Sequence, residues 1–491
     1  MKTADSIPFY RPKNFYEEDP YFSSRIRNYL PEEDFAWAGE LFQQMGELSA
    51  QKISPLVLTS DQNPPQLIPY DPQGNRVDQL EYHSSYRQIA KWTYEFGIIG
   101  LGHSPEFKDR GRSFSPLIKF GLGYLFSQSG SVLYCPICMT DGTLQLLERH
   151  GSTELKKKWI PRITSMDMKD FADGGMYLTE AQGGSDVGAN TTEARQENGT
   201  WRLYGKKWFC SNAGSATAMV LARPTGAKGG TPGLGLFLVP WNLEDGTRNA
   251  LVIDRVKPKL GTCEMATAEI SLEGALAYPV GELDQGFNYM TEMLNLSRVY
   301  NAVWSIGLMQ RSYLEARYYA ANRIAFGKPI QGYPLVAQTL DQLQQASHRA
   351  LNLVLETLSY MDRLERGTGD ESDEKLLRLL TPVIKFYTAE KAIESAHQAI
   401  EIFGGNGCIE DFPVAKMLRD SQILAIWEGT ANILSLDLLR VMKKEGAHEL
   451  FLKKYEKKIG ETLPAGPREA ARAQLKGLEG AFQNVFEGRD G

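Results

Sequence analysis

QILAIWEGTANI, residues 422–433, sets a single carboxylate, Glu428, between an apolar run and a Gly-Thr pair. Just upstream, residues 401–407 read EIFGGNG. An ionised carboxylate loses hydration in apolar surroundings, so an acid after Ile-Leu-Ala-Ile-Trp is costly to place. Two readings follow: Glu428 is a helix-end acid that reaches solvent, or it is a base held in an apolar pocket. Gly404 and Gly405 pose a parallel choice. A Gly-rich helix end is commonly a C-cap, but glycine also lets backbone come close to a ligand, because it lacks a Cβ.

Outward from this stretch the pattern is helical. From about residue 284 the chain reads as long amphipathic helices, and FNYMTEMLNLSRVYNAVWSIGLMQRSYLEARYYAANRIAF is interrupted only by Gly307. GTGDESD is a charged loop between two of these helices, and TANILSLDLLRVMKKE is a further one. Between 171 and 283 the period changes. TWRLYG, AMVLAR, GLGLFLVP and ATAEISL read as strands, and GAKGGTPGLG as a hairpin loop. Residues 86–170 return to helical spacing. Residues 1–85 carry two short helical patterns, near 17–29 and 32–52, and then NPPQLIPYDPQGNR, expected as an extended segment laid across the rest. The order helical, β-rich, helical is an α+β layout. Alternating βαβ units are absent, which argues against a nicotinamide-type Rossmann fold. The expected boundaries are an extension to 85, a helical domain to 170, a β domain to 283, a helical bundle to 445 and a tail to 491.

The bulk numbers bound the function. The chain has 491 residues, too many for one ordinary core. It is 42% hydrophobic and 23% charged, with net charge −6 and a pI near 5.7. That balance argues against whole-surface attraction to nucleic acid or anionic membrane. MKTADSIPFYRPKNFYEEDPYF lacks the apolar core of a signal peptide, and no apolar run reaches the ~20 residues of a membrane span. A cytoplasmic protein is expected. Cysteines 135, 138, 210, 263 and 408 do not read as a disulfide framework. Cys135-Pro-Ile-Cys138 matches C-x-x-C, but no second pair exists and the six histidines are scattered, so two packed thiols at a helix start are expected, and no metal.

Two more stretches carry chemistry. In MYLTEAQGGSDV, residues 176–187, Thr179 and Ser185 could donate to phosphate or ring oxygens, or simply cap a turn. In KKWFCSN, residues 206–212, Trp208 holds a strand position where tryptophan is usually core. Together the pieces stop being independent. M-Y-L-T-E-x-x-x-G-S-D, then K-x-W, R-x-x-F-G-K, G-G-N-G and I-W-E-G-T, in this order, resemble the acyl-CoA dehydrogenase family across roughly residues 86–445. TEAQGGSDVGANTTEAR, DPQGNRVDQLEYH, IWEGTANILSLDLLRV and the N-terminal extension look like the AidB-like branch, flavoproteins of the adaptive response to alkylation.

The resemblance implies an N-terminal helical domain, a middle β-barrel or sandwich, a C-terminal four-helix bundle, and FAD. It implies that Leu178 and Thr179 contact the flavin's pyrimidine end, that Ser185 reaches the pyrophosphate or the substrate, and that Trp208 packs on the flavin. The family's hydroxyl near flavin N5 falls at Cys210 here. The AidB-like branch places its serine one position later, which favours Ser211. Arg323 and Phe326 correspond to residues that reach the FAD of a neighbouring subunit. Gly404 and Gly405 admit the cofactor, and Thr430 and Asn432 match positions at its adenosine part. Two departures weaken the match: Tyr333-Pro334 replaces the usual His-Gln, and Glu401 replaces a glutamine. A shared site implies a homo-oligomer, commonly a tetramer.

In that frame Glu428 is the base that takes the α proton of an acyl-CoA, with Gly429 beside the substrate. Ser297 stands where some branches carry a second base. Arg298 matches an arginine near the acyl-CoA entrance, and an interhelical salt bridge explains it equally well. The implied electron acceptor is an electron-transfer flavoprotein. Two further readings stay open: an AidB-like flavoprotein that binds DNA, and an acyl-CoA oxidase. The DNA reading is disfavoured by residues 443–491, which hold ten Lys/Arg against eight Asp/Glu, a net of +2. KKYEKK reads as an exposed helix face.

Overall fold

The computed structural model describes residues 8–104, Phe107 and residues 114–487. The first seven residues of the N-terminal stretch read above, and the last four of the tail, lie outside the described residues.

The N-terminal part starts with α1 (Pro20–Arg27), later than the sequence pattern suggested, because Asp19 caps it by accepting from Phe22 N at 3.0 Å and Pro20 fits the first helical position. Then α2 (Glu32–Glu47) runs through a π turn at Leu48–Ile53 into α3 (Ser54–Gln62). The Pro-rich stretch is a hairpin, β1 (Gln66–Tyr70) with β2 (Arg76–Glu81), rather than a single extended run. Asp71 closes its turn by accepting from Gln73 N and Asn75 N at 2.9 and 2.8 Å. Helices α4 (Ser84–Phe96), α5 (Pro116–Ser127), α6 (Tyr134–His150) and α7 (Thr153–Ile163) follow. Phe15, Phe22, Phe42 and Ile53 share one core with Phe120, Leu125 and Leu146, so packing is continuous across residue 85.

The middle domain holds β3 (Gly174–Tyr177), β4 (Glu193–Glu197), β5 (Thr200–Ser211), β6 (Thr217–Pro224), β7 (Gly235–Pro240), β8 (Leu251–Val256) and β9 (Thr267–Pro279). Pairing runs β6–β4–β5–β9–β7 and returns to β6, closing a ring, with β3 added beside β6 and β8 beside β9. Its interior is aliphatic and rich in β-branched residues: Ala194, Leu203, Val220, Val239, Ile253 and Ile270 are all fully buried or nearly so. Asp78 docks the β1–β2 hairpin here. It accepts from Ile253 N at 3.1 Å and pairs with Arg248 at 3.0 Å.

The C-terminal part is a bundle of α8 (Gly286–Asn322), α9 (Pro334–Glu365) and α10 (Glu371–Phe403), with α11 (Pro413–Leu424) and α12 (Ala431–Glu445) as a broken fourth rod. A two-strand turn, β10 (Ile324–Ala325) with β11 (Lys328–Pro329), links α8 to α9. Helix α8 is buried on nearly all sides through its middle, as a central helix must be. Gly307 is there for proximity: a Cβ would sit 2.4 Å from Ser127 Oγ. The tail is two helices, α13 (Ala447–Thr462) and α14 (Ala465–Glu487). Lys458 pairs with Glu356 at 2.7 Å and Lys454 lies 4.2 Å over the Tyr360 ring, so part of the KKYEKK cluster pins α13 to α9. No helix among the described residues is long and apolar enough to cross a membrane.

Candidate active site

Helix α11 ends at Leu424 and α12 begins at Ala431, so Glu428 sits in a short interhelical loop. Its φ is +59°, and that of Gly429 is +110°. A left-handed conformation costs a residue with a Cβ about 1–2 kcal/mol and persists only where its surroundings impose it. The surroundings are cationic. Arg298 Nε donates to the Glu428 carbonyl at 3.0 Å, and Lys385 Nζ donates to the Gly429 carbonyl at 2.7 Å. Arg298 in turn pairs with Asp437 at 2.6 Å, and Arg378 holds the second oxygen of that carboxylate. Burial pulls Asp437 upward, but the two guanidiniums outweigh it and hold the carboxyl at about 2. The interhelical salt bridge is thus what Arg298 makes in this chain, and the same side chain fixes the glutamate's backbone.

The Glu428 carboxyl is a different matter. Among the described residues its buried Oε2 has no hydrogen-bond partner, and the Ser297 hydroxyl bonds the carboxyl. Burial pushes its pKa up, while Ser297, Arg298 and Lys385 pull the other way. The sequence neighbour Ile426 does not supply that burial; it is 57% exposed. The left-handed turn sends the carboxyl away from Ile426 and toward α6 and α8. There Cys135 and Cys138 feel its charge, and Cys138 Sγ lies 3.2 Å from Ser297 Oγ. Trp427 packs 5.6 Å from Trp304. Both cysteines stand in the first turns of α6, where packed thiols were expected, and all five cysteines are free. Burial, then the Glu428 charge, pushes the Cys135 thiol up to about 12, so it is protonated and weakly nucleophilic.

The Thr179 segment is built by a buried ion pair that sequence reading passed over. Glu180 Oε1 accepts from Lys207 Nζ at 2.9 Å. The same carboxylate accepts from the backbone N–H and hydroxyl of both Thr191 and Thr192. Burial raises Glu180, but Lys207 and these donors dominate and hold it at about 2. This peg ties the turn after β3 to β5, where Trp208 N donates to Thr179 O at 2.9 Å. Leu178 is buried, with its carbonyl taken by Asn190 Nδ2 at 2.7 Å, and Ser185 is exposed.

Strand alternation places Trp208 and Cys210 on one side, but the β5–β9 register shifts between Lys207 and Cys210. The bulge turns Cys210 into the β core, fully buried, so it has no open face to offer a cofactor. Ser211 stays part-exposed, 3.2 Å from Thr267 Oγ1. Lys259 Nζ donates to that same Thr267 hydroxyl at 3.1 Å, and burial pushes this lysine down to about 8. Lys257 lies 3.7 Å over the Trp208 ring. Thr179, Trp208 and Ser211 therefore share one edge of the β domain, with two cations behind it.

The remaining candidates face outward. Arg323 is exposed and Phe326 is 96% exposed, with Leu335 at 78% nearby in sequence. Gly404, with φ +59°, and Gly405 would each place a Cβ in open space. Thr430 leads α12 without capping it, and Asn432 is exposed in the first turn. A dinucleotide with a planar ring and a pyrophosphate suits these features. They offer an indole and hydroxyl edge, a helix N-terminus without a side-chain cap, bare glycine backbone and an exposed arginine. Among the described residues no group of three His, Cys, Asp or Glu side chains is placed to hold a metal.

Comparison with known proteins joins these parts. Residues 284–443 match the family model "Acyl-CoA dehydrogenase, C-terminal domain", residues 175–275 the middle domain of the same family, and residues 6–169 the "Adaptive response protein AidB N-terminal domain". Acyl-CoA dehydrogenase family member 11 of Caenorhabditis elegans is 33% identical over 481 residues, 95% of this chain and 78% of that protein. The putative acyl-CoA dehydrogenase AidB of Escherichia coli is 31% identical, over 85% of this chain and 76% of its own length. A crystal structure of the C. elegans acyl-CoA dehydrogenase in complex with C11-CoA superposes with a TM-score of 0.92 at 31% identity, covering 99% of this chain and 84% of that one.

Proposed function

Because the chain belongs to the acyl-CoA dehydrogenase family and carries an N-terminal domain of the AidB type, we propose that it removes two hydrogens from an acyl-CoA thioester, with Glu428 as the base. FAD, when bound along the Trp208–Ser211 edge, would supply the acceptor for the hydride leaving the β carbon. Everything else is the work of this chain's residues. An unperturbed glutamate, at about 4.3, is a weak base for a carbon acid, and general bases work best nearer the operating pH. Burial of the Glu428 carboxyl moves it in that direction. Its unpaired Oε2 is free to take the α proton, while Ser297 steadies the carboxyl. The backbone N–H of Glu428, on the loop that Arg298 and Lys385 hold, would donate to the thioester oxygen as negative charge develops there.

The observation that carries this reading is the buried, unpaired carboxyl oxygen of Glu428 on a loop held in a left-handed course. Exposed Ile324, Phe326 and Leu335 beside Arg323 support an oligomer in which a neighbour completes the cofactor site, and an electron-transfer flavoprotein would reoxidise it. Engagement of Lys454 and Lys458 by Tyr360 and Glu356 weakens the DNA-binding alternative.

The test is anaerobic titration of the purified, FAD-loaded protein with acyl-CoAs from short to long, followed by flavin absorbance. Bleaching by one chain-length class is expected and would name the substrate class. No bleaching by any would sink the dehydrogenase reading. Rapid recolouring in air without an added acceptor would convert it to an oxidase.

A further inference from the structure

Lys385 lies in α10 and is completely buried. Such a position is ordinarily filled by an apolar side chain, because an ammonium loses its hydration there. Its ammonium donates to a carbonyl, that of Gly429, rather than to a carboxylate. The site therefore keeps a charge it does not need for packing. What the charge touches is the loop: Gly429 follows Glu428, and both residues have positive φ. Two successive carbonyls thus receive cationic donors from two different helices, Arg298 from α8 and Lys385 from α10. Charge-assisted hydrogen bonds are about twice as strong as neutral ones, and two of them in sequence suffice to offset a strained backbone.

We propose that Lys385 is a positioning residue for Glu428: together with Arg298 it holds the 428–429 backbone in its left-handed course, and its charge tunes the carboxyl without touching it. The proposal rests on the dehydrogenase reading above. Arg298 is committed elsewhere, to Asp437, which Arg378 and Arg440 also hold. Among the described residues Lys385 makes no ion pair of that kind, and its ammonium bonds the Gly429 carbonyl. The groups acting on it are Glu428 from the loop, Arg298 from α8 and Glu390 from its own helix. Burial, the largest influence, pushes its ammonium down to about 8, so the clamp loses its charge in mildly alkaline solution.

The experiment uses FAD-loaded wild type, Lys385→Met and Lys385→Gln, with two readouts. The first is hydrogen exchange by mass spectrometry, which needs no substrate. Peptides covering 425–432 are expected to exchange about tenfold faster in Lys385→Met, with the rest of the bundle unchanged. The second is anaerobic flavin reduction by the acyl-CoA that reduces wild type. Here kcat is expected to fall about 10- to 100-fold with KM within about twofold, since misplacing a reacting group by about 1 Å costs that much. The acid limb of kcat is expected to move to higher pH, because Glu428 loses a neighbouring cation. Lys385→Gln keeps a donor without the charge, so it is expected to recover part of kcat and none of the limb shift. It also carries both readouts if Lys385→Met does not fold. Unchanged kcat and an unchanged pH profile in a folded variant overturn the proposal, whatever the exchange shows. Failure of wild type to be reduced by any acyl-CoA removes the dehydrogenase reading instead, and exchange alone then decides whether the clamp exists.

Discussion

Glu180 is a buried glutamate and Glu428 a part-buried one whose carboxyl oxygen Oε2 is buried, and the fold treats their carboxyls in opposite ways. Glu180 is given a lysine, two hydroxyls and two backbone N–H groups, and its carboxyl is held at about 2. Glu428 is given cations too, but they are spent on its backbone and its neighbour's, and one carboxyl oxygen stays unpaired. The first arrangement makes a peg that never changes charge at any ordinary pH. The second holds the main chain rigid while leaving the acid free to exchange a proton. The difference lies in which atoms the donors reach, and less in how deeply each residue is buried.

The sharpest way to break this contrast is Glu428→Gln. Turnover is expected to fall by about 10²–10⁴-fold or more while FAD stays bound, read as loss of anaerobic flavin reduction. A variant as fast as wild type would remove Glu428 from the chemistry. Next in size is Glu180→Ala, which strands Lys207 in the core and should cost about 3–5 kcal/mol in urea unfolding. A loss under about 1 kcal/mol would mean the peg is not structural. The same residue predicts an acid limb. Its carboxyl titrates at about 2 folded, against about 4.3 unfolded, so its contribution of ~3 kcal/mol is full above pH ~4.3 and fades as pH falls toward 2. Stability curves for wild type and Glu180→Gln should converge below that window. The smallest effect runs the other way. Glu428's carboxyl is raised in the folded chain, so its contribution is unfavourable once pH passes the unfolded carboxylate range. Glu428→Gln is therefore expected to be more stable than wild type near neutral pH, by about 1 kcal/mol, measured as a rise in Tm.

Much of this was legible in the sequence, for a specific reason. The helical, β and helical periods are local, and the chemical motifs are short and ordered, so both survive being read one residue at a time. What stayed hidden is non-local. Lys207 and Glu180 are both in quoted motifs, yet nothing in either says that they pair across strands. Lys385 reads as one more lysine in TPVIKFYTAE, and only the crossing of α10 beneath the loop gives it work. Ile426 looked like the wall around Glu428 because it is two residues away, but a left-handed residue redirects the chain and makes sequence neighbours poor guides to spatial ones. The choice between Cys210 and Ser211 depended on a β-bulge, and bulges leave no reliable trace in residue types alone.

The β1–β2 hairpin has one more consequence. The ring of the middle domain has no ends, but β8, added outside it, leaves an edge with free peptide groups. Arg76 Nη2 donates to the Ile253 carbonyl at 2.9 Å, and Asp78 accepts from the Ile253 N–H at 3.1 Å. Two side chains from the N-terminal part thus occupy what a foreign strand would seek. Exposed strand edges template association between molecules. Shortening this hairpin should therefore show itself first as loss of solubility on standing, with the chemistry of the protein still in solution intact.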